Sequence, residues 1–198
     1  MNYLAHVYFS YQNENLLIGN ILTDILSLKE LRLLDNKYDE GITLHRIIDT
    51  HTDSHPVHKK NLSLLYAWQG KYSPVAMDIY YDYLLAKNWV KLTGISQRKM
   101  CDETYKIMLK HQMYIPERAA LMFGRMVEDD FLFSCNTYQR LEKTFERLLK
   151  RVKFPSNLDR AVDDLKRLES DFDSDFSDFF RDMQKVTQPG ILPDSQET

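Results

Sequence analysis

Hydrophobic residues recur three and four positions apart along most of the chain, which is the spacing of amphipathic helices rather than of strands. Helix-ending and helix-starting residues divide this pattern into segments. Pro56 ends one helix because the residue before a proline is steered away from the helical conformation, and Ser73 caps another whose first turn contains Pro74. The pattern predicts helices over 1–12, 14–27, 42–54, 57–69, 75–92, 96–114, 116–133, 137–152 and 157–184.

These elements predict an all-α fold, a single-domain bundle of seven to nine helices covering residues 1–187. Residues 188–198 contain both Pro and Gly, and we expect a flexible C-terminal tail there. The composition agrees with this prediction, because 43% of the 198 residues are hydrophobic, 28% are charged, and only six are glycine and six proline. So few glycines and prolines cannot supply the many tight turns of an all-β domain.

Charge and cysteine usage narrow the classes of function. A net charge of −3 argues against a generic nucleic-acid-binding protein, which normally has a strongly basic domain. The first basic residue is Lys29, and the apolar stretch 16–28 contains Asn20 and Asp24, so we expect neither a signal peptide nor a membrane span. Cys101 and Cys135 lie in separate predicted helices without a C-x-x-C spacing, which favours reduced thiols and a cytoplasmic protein.

The segment 44–58 is the densest in side chains that bind metals, with four of the six histidines. At about 100° per residue on a helix, His45, Asp49 and Asp53 share one stripe. His51, His55 and His58 share another, so the two sets cannot bind one ion from a continuous helix. His45 and Asp49 are surface neighbours four residues apart, and an imidazole with a carboxylate suits Mn²⁺, Fe²⁺ or Zn²⁺. The alternatives are an ordinary surface pair and a solvated helix end.

Further candidates lie outside this segment. His6 interrupts an apolar run, where a hydrogen-bonded core histidine is the alternative to a ligand. Asp24 is the only charge after the first turn of an otherwise apolar helix, so either a cation compensates it or it faces solvent. Asp78 and Asp82 are four residues apart on one helical face, and their repulsion calls for a shared cation or a facing positive group.

A basic cluster ends the helix predicted over 137–152. Such a cluster is either a solvated helix end stabilised by the helix dipole or a local docking surface for an acidic partner. The cluster consists of Arg147, Lys150, Arg151 and Lys153.

The chain opens with Met1-Asn2-Tyr3-Leu4-Ala5-His6 and then carries three motifs in order: Gly19-Asn20-x-x-x-Asp24, Gly41-x-x-Leu44-His45-Arg46-x-Ile48-Asp49-x-x-Thr52-Asp53 and Asp78-x-x-Tyr81-Asp82-x-x-Leu85-Ala86-x-x-Trp89. With these motifs the sequence resembles the acyl carrier protein phosphodiesterase family, most densely over residues 1–90. The resemblance implies an all-α fold similar to that of HD-type metal phosphohydrolases. It implies hydrolytic removal of the 4′-phosphopantetheine arm from holo acyl carrier protein, usually with Mn²⁺, in fatty acid biosynthesis.

The resemblance also implies a set of site residues. The metal candidates are His6, Asp24, His45, Asp49, Asp78 and Asp82. The candidates for catalysis are Asp24, His45, Asp49, Asp53 and Arg46, with Asp53 expected just outside the metal ligands and Arg46 available to the phosphate.

The sequence departs from the family at two points. It lacks the adjacent His-Asp pair of the HD superfamily, so His45 and Asp49 would have to take the equivalent role. It has Tyr83 where the family has a histidine, and we predict that Tyr83 touches the pocket wall rather than the ion and that Tyr83→His raises activity. Two other functions stay open, a phosphohydrolase of nucleotides or other small phosphate esters, and a catalytically degenerate helical binding protein.

Overall fold

The computed structural model of the chain describes residues 1–187, which are helical and contain no strand. The prediction of an all-α fold is therefore confirmed. Within residues 1–187, nine α-helices have eight or more residues and two are shorter, against the seven to nine expected. They are α1 (Tyr3–Ser10), α2 (Glu14–Ile25), α3 (Leu28–Leu31), α4 (Asp39–Ser54), α5 (Pro56–Gln69), α6 (Ser73–Lys87), α7 (Trp89–Thr93), α8 (Gln97–His111), α9 (Glu117–Glu128), α10 (Tyr138–Leu149) and α11 (Ala161–Thr187).

Two boundaries differ from the sequence prediction in an informative way. Helix α4 begins at Asp39, three residues before the start at residue 42 that the pattern predicts, and runs through Gly41. The helix predicted over 75–92 is interrupted at Asn88, where α6 ends and α7 begins. The expected tail, 188–198, lies outside the described residues. No helix within 1–187 is long and apolar enough to cross a membrane.

Helix α6 is the most completely buried helix of the fold, which explains why its sequence is apolar on nearly every face. It contacts α1, α5 and α11, and eleven of its fifteen residues are buried. Helix α11 covers it with an aromatic stripe, Phe172, Phe176, Phe179 and Phe180, whose side chains have no exposed area. Burying one such side chain contributes roughly 1.5–3 kcal/mol. This stripe fixes α6, which in turn supports α1.

Helices α2 and α4 cross at two glycines. A Cβ atom on Gly19 would lie 2.2 Å from the carbonyl oxygen of Tyr38, and one on Gly41 would lie 2.3 Å from that of Leu16. Real side chains never approach so closely, so only glycine fits at either position. The two backbones therefore meet directly, and polar groups on α2 come within hydrogen-bonding reach of α4.

Candidate metal centre

Helices α1 and α4 bring three ligand-capable side chains together. One atom each from His6, His45 and Asp49 lies within 4.8 Å of the others. The Nε2 atom of His6 is 3.2 Å from Oδ1 of Asp49, and the Nε2 atom of His45 is 3.0 Å from Oδ2. The two imidazole rings stack with centroids 4.2 Å apart. We refer to His6, His45 and Asp49 as the triad, and the expectation that these residues converge agrees with their positions in the structure.

Asp24 approaches the triad from α2. Its Oδ1 atom is 3.5 Å from Nε2 of His45, and its side chain is 33% exposed, so it lies at the edge of the cluster. Burial raises the pKa of Asp24, with Asp49 adding to the effect and the histidines opposing it. For Asp49, burial would also raise the pKa, but the close approach of the His45 and His6 imidazoles outweighs burial and holds the pKa below its usual range. The two carboxyl groups thus sit in different electrostatic environments.

All four imidazole nitrogens of the triad face oxygen acceptors. Each Nδ1 atom points to Asn20, at 2.8 Å from its Oδ1 for His6 and at 3.0 Å from its carbonyl oxygen for His45. The Nε2 atoms face Asp49, and that of His6 also lies 3.2 Å from the carbonyl oxygen of Met1. A neutral imidazole has only one N–H to donate. Each neutral ring can therefore donate to an acceptor at only one of its two nitrogens. A cation beside the Nε2 atoms would satisfy the nitrogen without a proton, so the donor set fits a divalent metal held by neutral histidines and carboxylate.

Sequence reasoning did not assign Asn20 to the site. It is fully buried, and its Oδ1 atom lies within 3.1 Å of both Nδ1 atoms. Hydrogen bonds of this kind orient metal-binding histidines. The signal was an amide in the apolar helix α2, directly after Gly19 and four residues before Asp24.

Asp78 does not join the triad directly. Its Oδ1 atom lies 3.1 Å from the amino nitrogen of Met1, which is itself 3.7 Å from Asp49. Burial would lower the pKa of this amino group, but Asp78 and Asp49 raise it above its usual value. Asp78 therefore reaches the edge of the cluster through Met1, and the positive group expected to relieve its repulsion with Asp82 is this amine.

The structure does not place Asp82 at the cluster, contrary to our assignment of Asp82 as a metal candidate. Its two oxygens accept the backbone N–H groups of Leu4 and Ala5 at 2.9 and 3.2 Å. The first N–H groups of a helix have no partner within it, and Asn2, the N-cap residue of α1, makes no side-chain cap hydrogen bond. Asp82 takes that role from α6 and fixes the helix that carries His6. Burial raises its pKa to about 7, although the two N–H groups oppose the shift.

The structure does not bring Asp53 or Arg46 into the cluster either. The Asp53 side chain is 81% exposed and lies 3.9 Å from Nε2 of His58. Its position on α4, eight residues after His45, displaces it by about 80° around the helix. Arg46 follows His45 directly and is exposed.

Tyr83 faces helices α10 and α11. Its hydroxyl group donates a hydrogen bond to Glu169 at 3.1 Å, and its ring stacks on Tyr138 at a centroid distance of 5.3 Å. Lys87 completes this group with an ion pair to Glu169 at 2.8 Å. Tyr83 is thus engaged by a neighbouring polar network rather than by the triad.

Comparison with known proteins identifies one family. The family described as "Acyl carrier protein phosphodiesterase" matches residues 1–183. A protein of that name from Photorhabdus laumondii is 24% identical over 189 residues, which is 95% of this chain and 96% of the relative. The protein from Yersinia enterocolitica is 30% identical over 46% of this chain and 48% of its own length. The protein from Serratia proteamaculans is 27% identical over 60% of this chain and 62% of its own length. These two matches thus span about half to three fifths of the relatives. No solved structure matches.

Proposed function

This chain belongs to the acyl carrier protein phosphodiesterase family, and from that premise we propose that it hydrolyses the phosphodiester bond between an acyl carrier protein and its 4′-phosphopantetheine arm. One observation carries the proposal. The family match over residues 1–183 spans both helices of the triad, and the triad is the one group of three or more metal-capable side chains found within residues 1–187. Family and site chemistry therefore agree.

The reaction consumes one water molecule. The water oxygen bonds to phosphorus, the bond between phosphorus and the carrier-protein oxygen breaks, and that oxygen leaves with a proton as a hydroxyl group. The products are apo acyl carrier protein and free 4′-phosphopantetheine. A divalent cation supplies charge stabilisation for the phosphoryl oxygens and makes water more acidic.

The residues of the triad would hold that cation. His6 and His45 offer Nε2 atoms and Asp49 a carboxylate, with Asp24 at the edge. We propose Mn²⁺ as the resident ion, and Fe²⁺ and Zn²⁺ accept the same mixture of nitrogen and oxygen donors. The inward Nδ1 atoms are engaged by Asn20, so the imidazoles present one nitrogen each to the ion.

Two other side chains have roles in the proposal. Asp24 is partly exposed at the edge of the cluster, and its raised pKa suits a group that exchanges a proton with water or with the leaving oxygen. Arg46 is exposed one residue past His45 and stays the candidate partner for a substrate phosphate, because its guanidinium group suits phosphate recognition.

The direct test incubates the purified protein with holo acyl carrier protein and Mn²⁺, with EDTA in a parallel reaction, and follows the carrier protein by mass spectrometry. We expect loss of the arm with Mn²⁺ and no loss with EDTA. His45→Ala and Asp49→Asn should lose both bound metal and activity. His51→Ala is the matched control, because His51 is exposed on the same helix and, within residues 1–187, its side chain has the carbonyl oxygen of Ile47 as its one hydrogen-bond partner.

The outcomes separate the alternatives. Metal binding with cleavage of a small phosphodiester, but intact holo acyl carrier protein, would replace the carrier protein by a small-ester substrate. Absence of bound metal and of hydrolysis with both substrates would leave a binding protein and refute the enzymatic proposal.

A further inference from the structure

We propose that Asn20 is a positioning residue that determines which nitrogen of His6 and of His45 is available to a metal ion. The role of the ion in catalysis rests on the proposed function, but the effect of Asn20 on the two imidazoles does not. Asn20 itself is fully buried and does not face the ion with a free atom, because its side chain is engaged on the inner side of the triad.

The orientation of the Asn20 amide follows from its hydrogen bonds. Its Nδ2 group donates to the backbone carbonyl oxygen of His6 at 3.0 Å, which defines the nitrogen end of the amide. The opposite end is therefore Oδ1, an acceptor only, at 2.8 Å from Nδ1 of His6 and 3.1 Å from Nδ1 of His45. Both Nδ1 atoms must carry the proton. In a neutral imidazole this leaves Nε2 unprotonated and able to bind a metal.

The two histidines depend on Asn20 to different degrees. Nδ1 of His45 also lies 3.0 Å from the backbone carbonyl oxygen of Asn20, an acceptor that no substitution of the side chain removes. Nδ1 of His6 has the side-chain oxygen as its one hydrogen-bond partner among the described residues. Removing the amide should therefore leave Nδ1 of His6 without an acceptor, while Nδ1 of His45 keeps its proton and its acceptor.

The consequence for metal binding follows from what His6 would do next. Without an acceptor at Nδ1, the buried ring gains by placing its proton on Nε2, where Asp49 and the Met1 carbonyl oxygen both accept a hydrogen bond at 3.2 Å. A protonated Nε2 cannot bind a cation. Asn20 thus prevents an internal hydrogen bond from competing with the metal.

The first test uses the wild-type protein with Zn²⁺, a diamagnetic probe, and nitrogen NMR of the histidine rings. We expect both His6 and His45 to bind through Nε2 and to carry the proton on Nδ1. Binding of either ring through Nδ1 would overturn the proposal, and this measurement needs no variant.

The second test measures Zn²⁺ affinity by chelator competition. Asn20→Ala should weaken affinity about 10- to 100-fold, the usual effect of losing a hydrogen bond behind a metal-binding histidine, whereas Asn20→Asp keeps an acceptor and should retain most of the affinity. The matched control is Asn61→Ala, since Asn61 is equally buried but makes no hydrogen bond to the triad. Urea unfolding identifies variants that do not fold.

The comparison of outcomes keeps the two proposals separate. A folded Asn20→Ala protein with wild-type Zn²⁺ affinity overturns the role of Asn20. If Asn20→Ala does not fold, the wild-type NMR result and the affinity of Asn20→Asp decide in its place, and a large loss in Asn20→Asp refutes the proposal. A wild-type protein with the expected proton positions that leaves holo acyl carrier protein intact refutes the proposed function and leaves the role of Asn20 standing.

Discussion

Gly19 and Gly41 touch where α2 crosses α4, and a Cβ atom built on Gly41 would lie 2.8 Å from the Cα atom of Gly19. This close approach has a chemical result one residue further along. It brings the carbonyl oxygen of Asn20 within 3.0 Å of Nδ1 of His45. The pair of glycines therefore sets the spacing on which the triad depends.

We expect Gly41→Ala to destabilise the protein by about 1–3 kcal/mol, because the added methyl group forces α2 and α4 apart. Urea unfolding measures the loss, and metal affinity should fall in the same variant as Asn20 moves away from His45. Gly124→Ala is the control. Gly124 lies inside α9 with only the Gln112 side chain near, at 3.6 Å, so alanine should add about 0.5–1 kcal/mol of helix stability. Equal effects at both glycines would argue against a packing role for the crossing.

The helical fold could be predicted because the apolar spacing and the capping residues are local signals. Gly41 shows where local reasoning fails, because a glycine that looks like a helix boundary is required inside the helix by a neighbour distant in sequence. The break at Asn88 could not be predicted either, because the apolar spacing continues through the run 75–92 without interruption. The resemblance to HD-type phosphohydrolases in fold stays a prediction.

The convergence of candidate ligands was predictable where one helix carries two of them. His45 and Asp49 follow from spacing alone, whereas the partners of Asp78 and Asp82 are a distant amine and the start of α1. Both partners satisfy a carboxylate without a metal, and sequence spacing cannot distinguish such partners from a cation. The role of Asn20 was hidden for the same reason, because its hydrogen bonds span 14 and 25 positions.

Asp82 should make the stability of the metal-free protein depend on pH. Burial raises its pKa from 3.8 to about 7 in the folded protein, so the unfolded chain releases this proton first as pH rises. The stabilisation is complete below about pH 4 and is lost as pH rises through 7. Between pH 5 and pH 8, wild-type protein should lose about 2–3 kcal/mol relative to Asp82→Asn, which cannot ionise.

Urea unfolding in EDTA at both pH values checks this expectation, since other titrating groups affect wild type and variant alike. Asp82→Asn keeps one acceptor for the start of α1 and is therefore a milder change than alanine. If the difference between the two proteins does not change with pH, Asp82 is ionised throughout and its two N–H partners dominate over burial.

The basic end of α10 is our candidate docking surface for the acidic carrier protein. Lys150 and Arg151 are exposed. Burial raises the pKa of Tyr3, the charge of Asp24 adds to the rise, and the charge of Arg151 opposes it. Arg151 of the basic cluster and Asp24 at the edge of the metal centre therefore act electrostatically on the same residue, Tyr3. Arg147 is less available because it pairs with Asp129 at 2.9 Å.

We expect the double variant Lys150→Glu/Arg151→Glu to raise KM for holo acyl carrier protein several-fold at low salt, with the difference shrinking as salt screens the charges. Cleavage of a small phosphodiester should not change. Lys106→Glu, an exposed charge reversal on α8, serves as control. An equal loss with both substrates would show that the double variant damages the site rather than docking.

Tyr83 now calls for a different expectation from the one its sequence position suggested. Its hydroxyl group donates to Glu169 rather than pointing to the triad, which removes the structural reason for expecting Tyr83→His to raise activity. We predict that Tyr83→Phe leaves metal affinity and turnover unchanged and lowers stability by about 0.5–1.5 kcal/mol, the net value of one hydrogen bond. Glu169 keeps Lys87 and Tyr138 as partners, so no buried charge is left alone.

Chelator competition, turnover of holo acyl carrier protein and urea unfolding measure these three quantities, metal affinity, activity and stability, for Tyr83→Phe. A Tyr83→Phe protein of normal stability that turns over substrate far more slowly would place the Tyr83 hydroxyl in the reaction after all.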